Sequence, residues 1–283
     1  MPLTEADIDA VCKLVDELCG IYLDEKKGYL IESRLESLLK SSGCQSYSEL
    51  VRKVRSSADR NLRNQIIDSI TTNETLFFRD QSPFEALQHK VLPELIDSKT
   101  ETAFPKRIRI WSAACSTGQE VYSIGMTLCE LIADIHSWDI QILGTDISDA
   151  AVARSSRGWY APHEIERGLS RERLTRFFRP EEGGWRVKDE LRALAMFDKK
   201  NLLEPLGMTG RFDIVFCRNV VIYFTKEVRR DLIERITKTM TPAGYLFVGS
   251  QETLTDLGPR FVPQHHCRAT LYQPNLQVAT VAG

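Results

Sequence analysis

The chain has 283 residues, of which 42% are hydrophobic and 27% are charged, and its formal net charge is −2. This composition supplies a core and a solvated surface, and it lacks the overall basic charge that indicates a nucleic-acid-binding protein. No apolar run approaches the ~20 residues of a membrane-spanning helix, and residues 1–5 lack the features of a signal peptide, so we expect a cytoplasmic protein without membrane insertion.

The first part of the chain, up to about residue 82, has apolar residues at helical spacing and no strand-like alternation. This pattern predicts four helices, with buried faces within Ile8–Cys19, Leu30–Leu39, Tyr47–Val54 and Leu62–Ile70. Thr4 is placed to cap the first helix, with Asp7 three residues later. We therefore predict an all-α domain over residues 1–78 and a linker over residues 79–83.

From residue 84 onward, the pattern alternates between strands and helices. The predicted strands are Arg107–Trp111, Ile140–Leu143, Phe212–Cys217, Tyr245–Gly249 and Ala269–Tyr272. The predicted helices between them are Glu120–Ile135, Asp149–Ser156 and Lys226–Met240, the last ended by Pro242–Gly244. Such alternation predicts an α/β domain over residues 84–276, with a Rossmann-like, doubly wound, mostly parallel sheet that binds ligands beyond the carboxyl ends of its strands. Residues 277–283 are predicted to be a tail.

An insertion near residues 159–198 interrupts this alternation. Its segments Phe177–Arg179 and Trp185–Val187 flank a Glu-Glu-Gly-Gly sequence, which predicts a β-hairpin.

The loop after the first strand, Ser112–Gln119, is made of small residues and has one glycine. The following helix offers free N–H groups and the positive end of its dipole to an anion. A dinucleotide site would normally show Gly-x-Gly-x-x-Gly, so a compact amino-acid carboxylate fits this loop better. Glu120 can accept a hydrogen bond from an ammonium group, although an acidic residue also suits a helix N-terminus that binds nothing.

Asp146 ends the second strand, where a carboxylate can accept hydrogen bonds from two ribose hydroxyls. A turn or N-cap aspartate is the alternative interpretation. The small-residue loop and this aspartate together indicate an adenosine nucleoside that carries an amino acid. S-adenosylmethionine is the obvious candidate.

Three motifs resemble the CheR family, the glutamate O-methyltransferases of bacterial chemoreceptors. They are Thr71–Arg79, Ser112–Ile124 and Phe212–Phe224. The resemblance extends to about Pro274, and it departs from the family pattern at Gln119 and Val121, where Glu and Pro are common. It implies methyl transfer from S-adenosylmethionine to glutamate side chains for chemotactic adaptation, without a metal, and a small β-subdomain at the insertion.

The resemblance also implies the site residues. The expected cofactor-binding residues are Asn73, Thr75, Arg79, Ala113, Glu120, Asp146, Asn201, Leu202, Arg218 and Asn219. Arg79 is our candidate for holding the substrate carboxylate; the alternative is that it holds the carboxylate of the cofactor. Tyr223 would orient either partner. The structural alternatives are that Asn219 caps a turn and that Tyr223 packs in the core. Phe77 and Phe78 are expected to pack between the domains.

The expected partners are the cytoplasmic methylation helices of chemoreceptors. Between residues 26 and 63, nine basic residues stand against four acidic ones, and a basic helical face would steer an acidic partner. The predicted substrate-binding residues are Arg34, Arg55 and Arg63; the alternative is a solvated face. A monomer recruited to receptor arrays is expected.

Because Pro180 and two glutamates occupy the short hairpin connection, we predict no dependence on a tethering peptide at the receptor C-terminus.

Two other functions compete with this interpretation. A nucleic-acid methyltransferase would carry a broad basic surface or an Asn/Asp-Pro-Pro-aromatic motif, whereas Arg218–Val221 occupies the comparable place here. A non-catalytic S-adenosylmethionine-binding regulatory module would have lost motif residues, and none is lost.

The seven cysteines and five histidines show no disulfide or metal-site spacing.

Overall fold

The computed structural model describes residues 3–23, 28–56, 60–101, 106–207 and 211–275. The predicted tail and the basic residues Lys26 and Lys27 lie outside these ranges. The N-terminal part contains the four predicted helices, α1 (Glu5–Cys19), α2 (Gly28–Ser41), α3 (Tyr47–Ser56) and α4 (Arg60–Ile70). Their apolar faces form one buried cluster.

The predicted cap of α1 is confirmed. Thr4 Oγ1 accepts from the Asp7 backbone N–H at 3.2 Å, and the Asp7 carboxylate accepts from the Thr4 backbone N–H at 3.3 Å. Asp7 also accepts from Ser48 Oγ at 2.6 Å. One buried carboxylate therefore starts α1 and ties it to α3.

The second part of the chain begins with α5 (Ser82–Ala86), which continues through a π-helical turn (Leu87–Val91) into α6 (Leu92–Thr100). Ten strands follow: β1 (Arg107–Ala113), β2 (Asp139–Asp146), β3 (Trp159–Tyr160), β4 (Phe178–Glu181), β5 (Gly184–Val187), β6 (Ala195–Lys199), β7 (Phe212–Cys217), β8 (Met240–Val248), β9 (Phe261–His266) and β10 (Ala269–Pro274). The helices among them are α7 (Gln119–Leu131), α8 (Asp149–Arg157), α9 (Pro162–Ile165), α10 (Arg171–Phe177), α11 (Asp189–Arg192) and α12 (Lys226–Lys238).

Seven strands form the main sheet in the order β6-β2-β1-β7-β8-β10-β9. Neighbours from β6 to β8 are parallel, and β10 is antiparallel to both β8 and β9. Two apolar clusters are built around this sheet. The carboxyl ends of β1, β2 and β7 therefore meet at one edge, as expected for a doubly wound fold.

The insertion forms a second, antiparallel sheet in the order β3-β5-β4. Its β4–β5 hairpin matches the predicted one, with Glu181 opposite Gly184. The two-residue turn between them uses Gly183 with φ of 70°.

Helices α5, α6, α9, α10 and α11 and strand β3 were not predicted, and the main sheet also differs from the prediction. The predicted helix stop Pro242–Gly244 lies inside β8, which already begins at Met240 and shifts register opposite β7. Strands β6 and β9 were not predicted; both lie at the edges of the sheet and are only partly buried.

No helix in the described ranges is long and apolar enough to cross a bilayer.

Candidate functional site

A cleft opens at the carboxyl ends of β1, β2 and β7, where the N-terminal helices meet the sheet. Both parts of the chain contribute to its walls. Arg34 on α2 lines it from the N-terminal part, and Glu120 on α7, Asp146 on β2 and Arg218 after β7 line it from the second part. The cleft therefore lies where the fold predicts a ligand.

Most of the predicted site residues line this cleft: Asn73, Thr75, Arg79, Glu120, Asp146, Asn201, Leu202, Arg218, Asn219, Tyr223 and Arg34. Ala113 does not line it, because its side chain is fully buried within the apolar core; its neighbour Ala114 lines the cleft instead. The aromatic pair Phe77 and Phe78 is buried in the core of the α/β part, so the prediction that the pair packs between the domains is wrong.

Asp146 shapes the loop that follows β1. One carboxylate oxygen accepts from the Ser116 backbone N–H at 2.8 Å, and the other accepts from the Ser148 backbone N–H at 3.0 Å. Burial raises the pKa of Asp146 above its ordinary value, against the opposing effect of these hydrogen bonds. The carboxylate thus lines the cleft and also fixes the backbone of its floor.

The single glycine of the loop is required by close packing. Gly118 has φ of 93°, and a Cβ there would lie 2.6 Å from the Ser155 Cβ atom. The loop can therefore lie against α8 only with glycine at this position.

Arg218 is the most heavily bonded side chain of the cleft. Its Nη1 donates to Glu120 Oε2 at 2.9 Å, and its Nη2 donates to Asp80 Oδ2 and to the Arg79 carbonyl, each at 2.9 Å. The side chain is 1% exposed, and Glu120 is held in turn by Ser112 Oγ at 2.7 Å. Arg218 therefore ties the linker to the first-strand loop.

Two other arginines in the cleft contact neutral acceptors. Arg79 donates to the Glu74 carbonyl at 2.9 Å. Arg34 donates to the Ile70 carbonyl and, at 3.0 Å, to Thr72 Oγ1. Within the described ranges, no carboxylate lies at ion-pair distance from either guanidinium, so their charges are available to an anionic ligand.

Asn201 joins the two parts of the chain. Its Nδ2 donates to the Leu18 carbonyl at 2.9 Å, and its Oδ1 accepts from the Leu203 backbone N–H at 3.0 Å. The next residue, Leu202, is buried beside it. This wall of the cleft is consequently fixed to the end of α1.

The loop after β7 is held by Glu252, which the sequence analysis did not identify. Its Oε2 accepts from the Asn219 backbone N–H at 2.9 Å and the Gly249 backbone N–H at 2.6 Å, while Oε1 accepts from the Val220 N–H at 3.1 Å. Asn219 has a left-handed φ of 56°. Glu252 follows the last parallel strand, and the strand-end rule could have found it.

The other two predicted receptor-binding residues have different surroundings from Arg34. Arg55 forms an exposed ion pair with Glu17 at 2.6 Å. Arg63 is exposed and lines a second cavity beside Arg60 and Lys199. The three predicted arginines therefore do not share one local environment.

No group of three potential metal ligands is found in the parts of the chain that the structure describes.

Comparison with known proteins relates this cleft to a family. The description of a CheR methyltransferase all-alpha domain matches residues 6–71, and that of a CheR methyltransferase SAM-binding domain matches residues 73–266. The chain is 42% identical to the chemotaxis protein methyltransferase Cher2 of Pseudomonas putida, over 92% of this chain and 93% of that protein. It is 41% identical to chemotaxis protein methyltransferase 1 of Pseudomonas aeruginosa, over 94% of this chain and 95% of that protein.

Proposed function

The chain belongs to the CheR family of S-adenosylmethionine-dependent methyltransferases, and we propose that its cleft presents the methyl group of this cofactor to glutamate side chains on the methylation helices of chemoreceptors. The observation that carries this proposal is the pair of arginines, Arg34 and Arg79, that reach the cleft without a carboxylate partner in the described ranges. The reaction brings two carboxylates into the site, one on the cofactor and one on the substrate.

The cleft has further polar groups that suit this cofactor. Arg218 Nε and Thr71 Oγ1 are buried atoms without a hydrogen-bond partner, and both residues line the cleft. Buried unpaired polar atoms are costly, and a ligand with carboxylate and hydroxyl oxygens would satisfy them. Asp146 would accept from the ribose hydroxyls, and Glu120, whose two oxygens already accept from Ser112 and Arg218, would use a remaining lone pair to accept from the ammonium group.

When bound, the cofactor supplies a methyl group that its sulfonium charge has already activated. The accepting glutamate has an ordinary pKa of about 4.3 and is ionised at neutral pH, so no general base is needed. No histidine lines the described walls of the cleft. Arg79 would hold the entering carboxylate with its planar guanidinium, and Tyr223 would orient it. Alignment and the removal of water are then the main contributions of the protein.

The proposal is tested with receptor-containing membranes and methyl-labelled cofactor. We expect label to appear on the receptors as base-labile methyl esters, and to be absent from DNA or RNA added in parallel. Cofactor binding without label on any substrate would indicate the regulatory module instead. Label on nucleic acid would indicate the other competing function.

A further inference from the structure

Two exposed tyrosines, Tyr22 and Tyr223, line the cleft, and the exposed Ile222 directly precedes Tyr223 in the chain. Tyr22 is 68% exposed, Ile222 is 55% exposed and Tyr223 is 37% exposed. The Tyr22 backbone N–H donates to the Tyr223 carbonyl at 2.9 Å, so the end of the α1 region and the loop after β7 are joined at this point. Tyr22, Ile222 and Tyr223 are called the mouth patch below.

The position of the mouth patch is unusual for this protein. The described residues include six large hydrophobic side chains with such exposure, and three of them form the mouth patch. The others are Tyr29 on α2, Met196 on β6 and Val262 on β9; of these six described side chains, Tyr22 and Tyr223 line the cleft. Exposed tyrosines in a cluster are typical of surfaces that become buried against another protein.

The positively charged side chains that line the cleft indicate which chemical groups the partner protein must carry. Arg34 and Arg79 line the cleft that Tyr22 and Tyr223 also line, and their charges have no carboxylate partner in the described ranges. A partner that fits must carry a carboxylate into the cleft and apolar surface beside it. A glutamate on an amphipathic helix has this combination, because residues three and four positions away lie on the same face.

We propose that the mouth patch is the docking surface for the helix that carries the methylated glutamate. Tyr22 and Ile222 would pack against apolar side chains one helical turn from that glutamate, while its carboxylate enters toward Arg79. This inference rests on the proposed function and adds the residues that select a helical protein substrate. Docking would then involve both parts of the chain, because Tyr22 precedes α2 and Ile222 follows β7.

The test uses Tyr22→Ser, Ile222→Ser and the double variant. Both side chains are exposed and the hydrogen bond between Tyr22 and Tyr223 is made by backbone atoms, so folding should be retained. The matched controls are Tyr29→Ser, which is 66% exposed in the wild-type chain, and Val262→Ser, which is 45% exposed. The rate of methyl-ester formation is measured over a range of receptor concentrations, and cofactor affinity is measured by calorimetry.

We expect the double variant to raise the KM for receptor by about tenfold or more, as is usual for losing buried interface anchors. Its cofactor affinity should equal that of the wild type, and both controls should keep the wild-type KM. An unchanged KM in the double variant would overturn the inference, and so would an equal rise in the controls.

Two further outcomes separate the inference from the proposed function. If the wild-type chain forms no methyl esters on receptors, the proposed function is overturned. The inference that a receptor helix docks on the mouth patch is then overturned as well. A wild-type dimer that the double variant abolishes, with receptor KM unchanged, would assign the mouth patch to a second copy of the chain and overturn the inference alone.

Discussion

Arg218 and Glu120 form an ion pair beneath the cleft, with Nη1 and Oε2 2.9 Å apart and side chains that are 1% and 13% exposed. The pair connects the loop after β7 with the start of α7, and the second amino group of Arg218 continues to the linker residue Asp80. Phe78, just before that linker, and Asp80 within it have φ values of 52° and 64°. The ion pair therefore holds a backbone conformation that positions Arg79 at the cleft.

We expect Arg79→Lys to reduce methyl transfer sharply. Lysine keeps the charge but loses the planar pair of donors that matches a carboxylate. Cofactor affinity, measured by calorimetry, distinguishes the two roles: it should stay near the wild-type value when Arg79 holds the substrate, and fall when Arg79 holds the cofactor. Arg167→Lys is the control, because Arg167 contacts Glu74 of the same motif without lining the cleft. Wild-type turnover in Arg79→Lys would exclude a carboxylate-binding role.

Asp146 should give cofactor binding a dependence on pH. Its pKa is raised by burial, so its contribution to the free energy of unfolding is fully present below the ordinary pKa of 3.8 and decreases as pH rises through the raised pKa. Both carboxylate oxygens already accept a backbone N–H, and protonation would remove a further acceptor position that the ribose hydroxyls need, so cofactor affinity should fall as pH falls through that raised pKa.

Calorimetric titration across this pH range checks the expectation. Asp146→Asn should bind the cofactor weakly and lose the dependence of affinity on pH that the wild type shows in this range. Asp139→Asn, at an exposed carboxylate outside the cleft, should keep the wild-type pH profile. Identical profiles for the wild type and Asp146→Asn would remove Asp146 from the binding site.

Glu252→Gln should weaken cofactor binding more than it weakens the fold. The substitution keeps the size of the side chain, but its NH2 group cannot accept from a backbone N–H, so one buried donor at the Asn219–Val220 turn is left unpaired at a cost of about 1–3 kcal/mol. The displaced turn carries residues of the cleft. We expect a lower melting temperature and a clearly larger Kd for the cofactor.

Asp213→Asn is the matched control for Glu252→Gln. Asp213 is also buried and accepts from the Arg109 backbone N–H at 2.9 Å, but it lies at the opposite end of β7 from the cleft. Its melting temperature should fall while its cofactor Kd stays the same. Equal changes in Kd for the two variants would show that Glu252 acts only through overall stability.

The strand-end rule predicted much of the site from the sequence. Asp146, Glu120 and Arg218 all follow parallel strands, and the fold brings them together because those strands end at one edge. Arg34 was assigned to a receptor-facing surface, since charge and helical spacing do not reveal which helix packs beside the linker. Glu252 follows β8 and could have been predicted by the same rule, whereas β6 and β9 were missed because edge strands lack a continuous apolar run.

The basic residues of the N-terminal helices should now be tested in two groups. Arg55→Glu with Arg63→Glu should raise the KM for receptor and flatten its dependence on salt, with cofactor affinity unchanged, because both residues are exposed and outside the cleft. Arg34→Glu should also impair cofactor binding or turnover, because it places a carboxylate in the cleft. A salt series with wild-type kinetics for the double variant would show that Arg55 and Arg63 are only solvated.

The last prediction concerns the β4–β5 hairpin and a tethering peptide. A peptide that adds to a sheet edge gains its affinity from main-chain hydrogen bonds. Strand β4 lies at the edge of the small sheet, but Pro180 within it has no N–H to donate, and Glu181 is engaged by Arg186. The exposed Glu182 would also repel a peptide C-terminal carboxylate. We therefore expect receptors to be methylated at the same rate with and without their C-terminal peptides. Calorimetric titration with those peptides should show no binding, whereas micromolar binding that maps to residues 178–187 would contradict the prediction.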